Sequence, residues 1–537
     1  MIDKYRLIGQ GIFPETLPPC FDGMDLKRAF RGFVPTLRER KFYKRSGVML
    51  PFSGTKHDGS RRTFSTPNPV TFFHVCEFIH KNWEVIESRI SDSPLIVSKP
   101  KPSAKTADRP IIIPSLSNLT TEASEKLRFS PIIVKADISQ FFASIYTHAI
   151  PWVAHGREAA KADQAHDSET VKFNQLDVFV QRCQSGETRG VGVGSDAFRI
   201  IAEFIGSEID RDLISAVGDK IIGGARHVDD FFLGVRTESD AQEVLSALRS
   251  VLSKYHFQLN DSKTKIISGL QPLNEVWAQD LRRKVSRLSE FNNSKERLIL
   301  IFNESTNLAT ELNSDSPVKI YLRGIDDARV YNRPLEWSAL EPYLQRVCFH
   351  HPHCIDYVFL LVAKRFAIGQ SLEKGDWIEV ALELIRRSKA FGHDHEIFWS
   401  LWLLIVLGAD IDQKMINGLC EYSNVYLNAM LITAKAEDKI DYLPLKFGSK
   451  IESNDSRWLE GLVARSVGYS KARFKGDFSE EFSHLADKKL KLIDFDRHMN
   501  SIKKITSDAI SHSRYGYDSD DEDDYDGFDE DEDEYPF

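Results

Sequence analysis

Cysteine is scarce in this chain of 537 residues: there are six, at positions 20, 76, 183, 348, 354 and 420, and no two form a Cys-x-x-Cys pair. That spacing argues against a disulfide framework or a zinc ribbon and fits a reducing cytoplasm. Long apolar runs are also missing. The longest, near residues 399–409, is about half of what a membrane-spanning helix needs, and the first residues lack the apolar core of a signal peptide. A soluble, cytoplasmic protein with no membrane partner is therefore expected. No clean internal repeat is visible, so nothing in the sequence proves a solenoid.

What is present is a globular balance, with 42% apolar and 28% charged residues, which rules out a largely disordered or collagen-like chain. The length exceeds one ordinary core, so two or more domains are expected. The net charge of −9 is unevenly spread. Residues 518–537 hold 13 acidic side chains and no Lys or Arg; without them 66 acidic residues face 70 basic ones, a net of +4 for residues 1–517. A mildly basic body can approach nucleic acid, and the tail repels it or competes for the same surface. The basic excess is densest in residues 27–62, where 11 Lys and Arg stand against Glu39 and Asp58. Such a run is either a solvated face or a surface that tracks phosphates.

Residues 94–114 read as two short strands joined by a basic, proline-bearing loop, and residues 131–138 as a buried strand with Asp137 at its exit. After a Gly-rich segment at 190–194, Phe198, Ile201, Ala202, Ile205 and Ile209 recur at helical spacing. Residues 220–235 then read as a strand, a tight turn at Val228-Asp229-Asp230 and a returning strand. An amphipathic helix over 239–255 leads into a further strand near Lys265. From about residue 273 onward strand signals fade and helical windows recur, which suggests stacked helix pairs.

Asp137 at the end of a buried strand and Asp229-Asp230 on a hairpin turn form the informative pattern. Joining nucleotides takes two divalent ions about 4 Å apart, so carboxylates must converge from separate strands. Asp is common in turns, and the pattern alone is weak.

Its surroundings strengthen it. The order Ala-Asp137-Ile-Ser-Gln-Phe-Phe, Gly190-Val-Gly-Val-Gly194 before a helix, His227-Val-Asp-Asp230, and Leu-Asn260-Asp-Ser-Lys263-Thr resembles palm motifs A to D of reverse transcriptases. The match spans about 130–270, with finger-like segments from roughly 60. Ser144-Ile-Tyr-Thr-His-Ala-Ile-Pro-Trp152, Arg199-Ile-Ile-Ala-Glu203, Phe64-Ser-Thr-Pro-Asn-Pro69 and Asn82-Trp83 resemble the abortive-infection and unknown-group reverse transcriptases of bacterial antiphage defence. The resemblance implies an α+β fold: basic region and fingers in 1–125, palm in 126–272, a thumb-like helical region in 273–335. An all-α, HEAT-like domain over 336–510 and a disordered acidic tail over 511–537 complete the expected architecture.

The resemblance also implies roles. Asp137 and Asp229 would bind two Mg²⁺ or Mn²⁺ ions, with Asp230 peripheral and the Ile138 carbonyl completing the nucleotide-metal shell. Phe142 matches the steric gate that excludes a 2′-hydroxyl, and Gly194 lies in the nucleotide-binding loop. Arg109 would fork onto the incoming triphosphate, with Lys99, Lys101 or Lys105 as weaker candidates. Lys263 would protonate the departing pyrophosphate. His227, Val228 and Gly192 would lie near primer and template. Relatives usually carry Tyr at position 227, Pro at 192 and a small hydroxyl residue at 198; His227 adds a titratable ring, and Gly192 would loosen the loop.

The expected function is DNA synthesis from dNTPs in antiphage defence, with RNA or single-stranded DNA as partner and a homo-oligomer, trimer or hexamer, as the assembly. Relatives use unusual or no added template and sometimes a protein hydroxyl as primer; Tyr43, Tyr146 and the tail tyrosines are the candidates here. The competing reading is a catalytically reduced palm that senses or scaffolds nucleic acid or a phage protein. An intron or retron polymerase fits less well, since no zinc-bearing endonuclease pattern follows the thumb. Cys348, His350, His351, His353 and Cys354 crowd seven residues and read as a helix–helix turn before a zinc site, because adjacent ligands cannot all face one metal.

Overall fold

The computed structural model describes residues 1–31, 42–105, 107–114, 116–273, 275–288 and 295–503, without the side chains of 116–119. The acidic tail and Arg38, Arg40 and Lys41 of the basic run lie outside the described residues.

A four-stranded antiparallel sheet occupies the segment over which a palm is expected. Near the N-terminus a hairpin pairs β1 (Leu50–Thr55) with β2 (Arg61–Thr66). Strand β3 (Ile132–Asp137) is followed by a one-turn helix α1 (Phe141–Ser144) and the long helix α2 (Asp196–Val217). Then come β4 (Gly223–His227), β5 (Asp230–Val235), helix α3 (Glu238–Lys254) and β6 (Lys265–Ser268). The spatial order is β4-β5-β3-β6, so β3 is buried between two neighbours. Its residues alternate between two apolar layers: Val134 and Ala136 join the main core with Phe231, Leu233 and Val235 of β5. Ile133 faces a smaller cluster with Val97, Ala123, Leu127, Ala225 and Phe232. Alternation of this kind is what a strand with both faces covered requires.

Helix α3 forms where the periodicity predicts it. Ala241, Val244, Leu245, Leu248, Val251 and Leu252 make its buried stripe, and the Thr237 side chain caps its first turn by accepting from Asp240 N. The helical half contains α4 (Ser316–Asp327), α5 (Pro334–His350), α6 (Ile355–Ala367) and α7 (Asp394–Val406). The expectation of an all-α domain over 336–510 is not met, because β7 (Lys450–Glu452) pairs in parallel with β8 (Arg473–Lys475). The crowded Cys/His segment is the helix–helix turn: a short 3₁₀ turn at Pro352–Cys354 joins α5 to α6, and the His351 ring and the His353 main-chain amide contact the Asp315 carboxylate.

The helical half is not an independent unit behind the four-stranded sheet. One apolar core runs from Ile2 to Phe495. The β1–β2 hairpin is bolted to the helices: Ser53 N donates to Asp394 (2.8 Å), Thr55 Oγ1 to Glu396 (2.8 Å), and Arg61 forks onto both Glu396 oxygens (2.7 and 3.0 Å). Tyr426 Oη donates to Leu50 O and Trp458 Nε1 to Val48 O. Arg45 is buried against Glu481 at 2.5 Å. Arg45 and Arg61 of the basic run are thus spent on internal ion pairs rather than on a phosphate-tracking surface. Residues separated by more than 300 positions bring these charges together, a pairing that local pattern does not encode. Among the described residues no helix is long and apolar enough to cross a membrane, and all six cysteines are free.

Candidate active site

Antiparallel register puts the carboxylates at one corner of the sheet. Asp137 ends β3 directly opposite Asp230, the first residue of β5. His227 pairs with Asp230, so Val228 and Asp229 alone make the turn between β4 and β5. Ile138 N donates to Asp229 O (3.1 Å) and Asn260 N to Asp137 O (2.8 Å), fixing the turn and the residue-260 loop to the exit of β3. Lys263 Nζ lies 3.1 Å from Asp137 Oδ2. Burial tends to lower the Lys263 pKa, but the charge and hydrogen bond of Asp137 and the charges of Asp230 and Asp229 outweigh it and hold the ammonium above its ordinary value. One cation therefore feels all three carboxylates.

The donor set suits a hard cation, since it consists of oxygens. Among the described residues no three His, Cys, Asp or Glu side chains stand close enough to hold a metal ion as they are placed. The Lys263 ammonium is a positive charge at the corner, and the attraction it enjoys is the attraction a divalent ion would exploit.

The turn is braced from behind by residues the sequence analysis did not single out as a unit. Val228 has φ +51°, in the left-handed region that β-branched residues rarely adopt. Its amide donates to Ser98 Oγ (3.0 Å) and its carbonyl accepts from Arg226 Nη1 (2.6 Å). Arg226 is fully buried and pairs with Glu203 (2.8 Å) and Asp210 (2.8 and 3.0 Å), and Ser98 Oγ donates to Glu203 (2.7 Å). Burial opposes the charge on Arg226, and Asp210 and Glu203 more than restore it, raising its pKa. Glu203, Gly206 and Asp210 share one face of α2, and a Cβ at Gly206 would lie 2.7 Å from the guanidinium carbon, so glycine leaves the socket open. The readable signal was an arginine just before His227-Val-Asp-Asp230 together with two acids seven apart on one helix.

The Gly-rich segment crosses in front of α1. Val191 N donates to Phe142 O (2.9 Å), Gly190 N to Ile145 O (2.7 Å) and Ser65 N to Val193 O (3.0 Å). Phe142 is half-buried against Phe141, with its backbone held by this segment. Gly192 does not loosen the loop. Its φ is ordinary, and a Cβ there would meet Ser65 Oγ at 2.6 Å and Met49 Sδ at 2.8 Å, so it supplies room rather than flexibility. Gly194 does use its freedom, with φ +112°, and approaches Pro14. Phe198 fills the core against Phe72.

Arg109 does not join the carboxylates. Nη1 donates to Gln10 O and Phe13 O (both 3.0 Å), Nη2 lies 2.5 Å from Asp196 and Nε 2.5 Å from Glu15. All three nitrogens are engaged by the N-terminal segment and the start of α2, where Arg109 acts as a strut. His227 is buried rather than presented to solvent. The hairpin tip, by contrast, comes close: burial and then the nearby charges of Asp58, Lys56, Lys263 and Asp315 act on His57, with a net lowering of its pKa. His57 of the tip therefore lies within the electrostatic reach of Lys263, a proximity the sequence did not reveal.

No family model matches the chain, and no curated protein does. Solved structures that resemble it include telomerases. Apo telomerase from Candida tropicalis truncated from its C-terminal domain shares 14% identity over 44% of this chain and 52% of that one, with a TM-score of 0.28. Apo telomerase from Candida tropicalis shares 13% over 70% and 71%, with a TM-score of 0.30. Telomerase from Candida albicans in complex with a telomeric RNA fragment shares 13% over 72% and 66%, with a TM-score of 0.27. The chain spans about half the length of the first of these. Likeness at that level leaves the functional reading resting on the carboxylate corner itself.

Proposed function

We propose that this chain is a reverse-transcriptase-type DNA polymerase that joins deoxynucleotides at the Asp137–Asp229–Asp230 corner and acts in antiphage defence. The observation that carries the reading is the register: Asp137 opposite Asp230, with Asp229 in the two-residue turn and one ammonium under the charge of all three. Two Mg²⁺ or Mn²⁺ ions held by Asp137 and Asp229, with Asp230 and the Ile138 carbonyl at the margin, would supply activation of a 3′-hydroxyl and a hold on the triphosphate. Phe142, five residues after Asp137, would serve as the ring beneath the sugar that discriminates against ribose. Lys263 is protonated at neutral pH, as a general acid for pyrophosphate must be. With Arg109 engaged elsewhere, Lys263 is the cation assigned to the phosphates. The defence role rests on the motif resemblance.

Labelled dNTP incorporated by the full-length protein with Mg²⁺ or Mn²⁺, lost in Asp229→Ala and on chelation, is the expected result. A second reading is favoured by the Lys263–Asp137 contact and by the absence, among the described residues, of three side chains within reach of one ion. It is a palm that holds nucleic acid without extending it. No incorporation under any template condition, with retained nucleic-acid binding, selects that reading.

A further inference from the structure

A groove with a volume of about 810 Å³ runs behind the carboxylate corner, between the segment after α1 and the C-terminal end of α3. Tyr146, Arg189, Arg249, His256, Gln258 and Asp261 line it. Its floor is continuous with the strand that carries Asp137: Ser139 N donates to Gln258 O (2.9 Å), and Ile138 bridges to Leu259. Its wall is continuous with the segment that frames Phe142, since Tyr146 bridges to Arg189 immediately before Gly190.

The chemistry of the lining is cationic and aromatic. Arg189 is exposed and has no acidic partner among the described residues. Arg249 lies 3.1 Å from Asp261, with the two side chains 52% and 80% exposed, a pair that water screens and a phosphate can displace. The Tyr146 and His256 rings meet edge to face at 5.1 Å, and His256 is turned outward by a left-handed φ of +67° just past α3. Cations beside exposed ring surface are what a single strand uses, phosphates on the arginines and bases on the rings. A duplex keeps its bases stacked away from such rings.

We propose that this groove binds a single strand of nucleic acid leading to or from the carboxylate corner; the strand's purpose there, though not its binding, rests on the polymerase reading. The test is fluorescence anisotropy of the full-length protein with a short labelled oligodeoxythymidine, without dNTP or divalent metal, across a range of salt concentrations. Each phosphate contact to a single strand contributes about 0.7 to the slope of log K against log salt, so R189A/R249A should reduce that slope by about 1.4. R386A/R387A removes equal charge from the helix Lys374–Lys389 and should leave the slope unchanged. His256→Asn suits the left-handed backbone and removes the imidazole. It should weaken binding by about five-fold or more without altering the slope, if a base stacks there.

An unchanged slope in R189A/R249A overturns the proposal. So does an equal loss of duplex binding, or displacement of the strand by dATP from the wild type but not from R189A/R249A. A flattened slope in a protein that incorporates no dNTP keeps the groove and removes the polymerase reading; incorporation with an unchanged slope does the reverse.

Discussion

Arg226 is the most informative residue to perturb, because it is completely buried and touches no solvent, yet it holds the turn that carries Asp229 and Asp230. Arg226→Met preserves chain length and leaves Glu203 and Asp210 buried without a cation. Breaking one side of a buried ion pair costs about 3–5 kcal/mol, a large part of the 5–15 kcal/mol that typically separates folded from unfolded protein. The triple variant R226M/E203Q/D210N removes the stranded charges and should regain much of that loss, leaving the missing bond to Val228 O, about 1.5–3 kcal/mol. Arg226→Lys keeps a charge but not the fork that reaches Glu203, Asp210 and Val228 together, so it should retain more stability than Arg226→Met while incorporation falls. Gly206→Ala presses a methyl into the guanidinium at 2.7 Å and should cost about 1–3 kcal/mol. Denaturant unfolding followed by tryptophan fluorescence measures the stabilities, and dNTP incorporation measures the turn. If Arg226→Met unfolds within about 1 kcal/mol of wild type, or the triple variant regains nothing, the brace does not work as a desolvated charge cluster.

Arg109→Ala should lower the unfolding midpoint while leaving the KM for dNTP unchanged; a raised KM with unchanged stability would return Arg109 to the triphosphate. His74 is buried beside Phe179 and pushed down to about 4. The unfolded chain therefore binds a proton that the folded chain refuses between pH 4 and the ordinary value of 6.5. Stability should rise with pH across that window by about 1.4 kcal/mol per unit for this one group. His74→Phe should flatten the pH dependence by one proton, and an unaltered slope would show the ring to be protonated in the folded state. Phe142→Ala should admit ribonucleotides in a competition assay; unchanged discrimination would remove Phe142 from the gate.

The sequence by itself determined the elements whose signal is local. Alternating and continuous apolar runs marked β3, β4 and β5, the helical spacing marked α2 and α3, and the Asp137 and Asp229-Asp230 pattern marked the ends that meet. Period and turn chemistry are properties of a few neighbouring residues, so they survive without knowledge of the fold. Tertiary structure alone decided where the charges go. The resemblance gave Arg109 to the triphosphate, and Arg45 and Arg61 lay in a run open to either a solvated or a phosphate-tracking reading, because an arginine advertises its charge but not its partner; their partners Asp196, Glu481 and Glu396 lie about 90 to 440 residues away. The same holds for Gly192, whose need for space is set by Ser65 and Met49 on another element, and for Arg226, whose two acids come from α2. Ion pairing and close packing depend on separation in space, which sequence distance does not report, so these assignments waited for the chain to be folded.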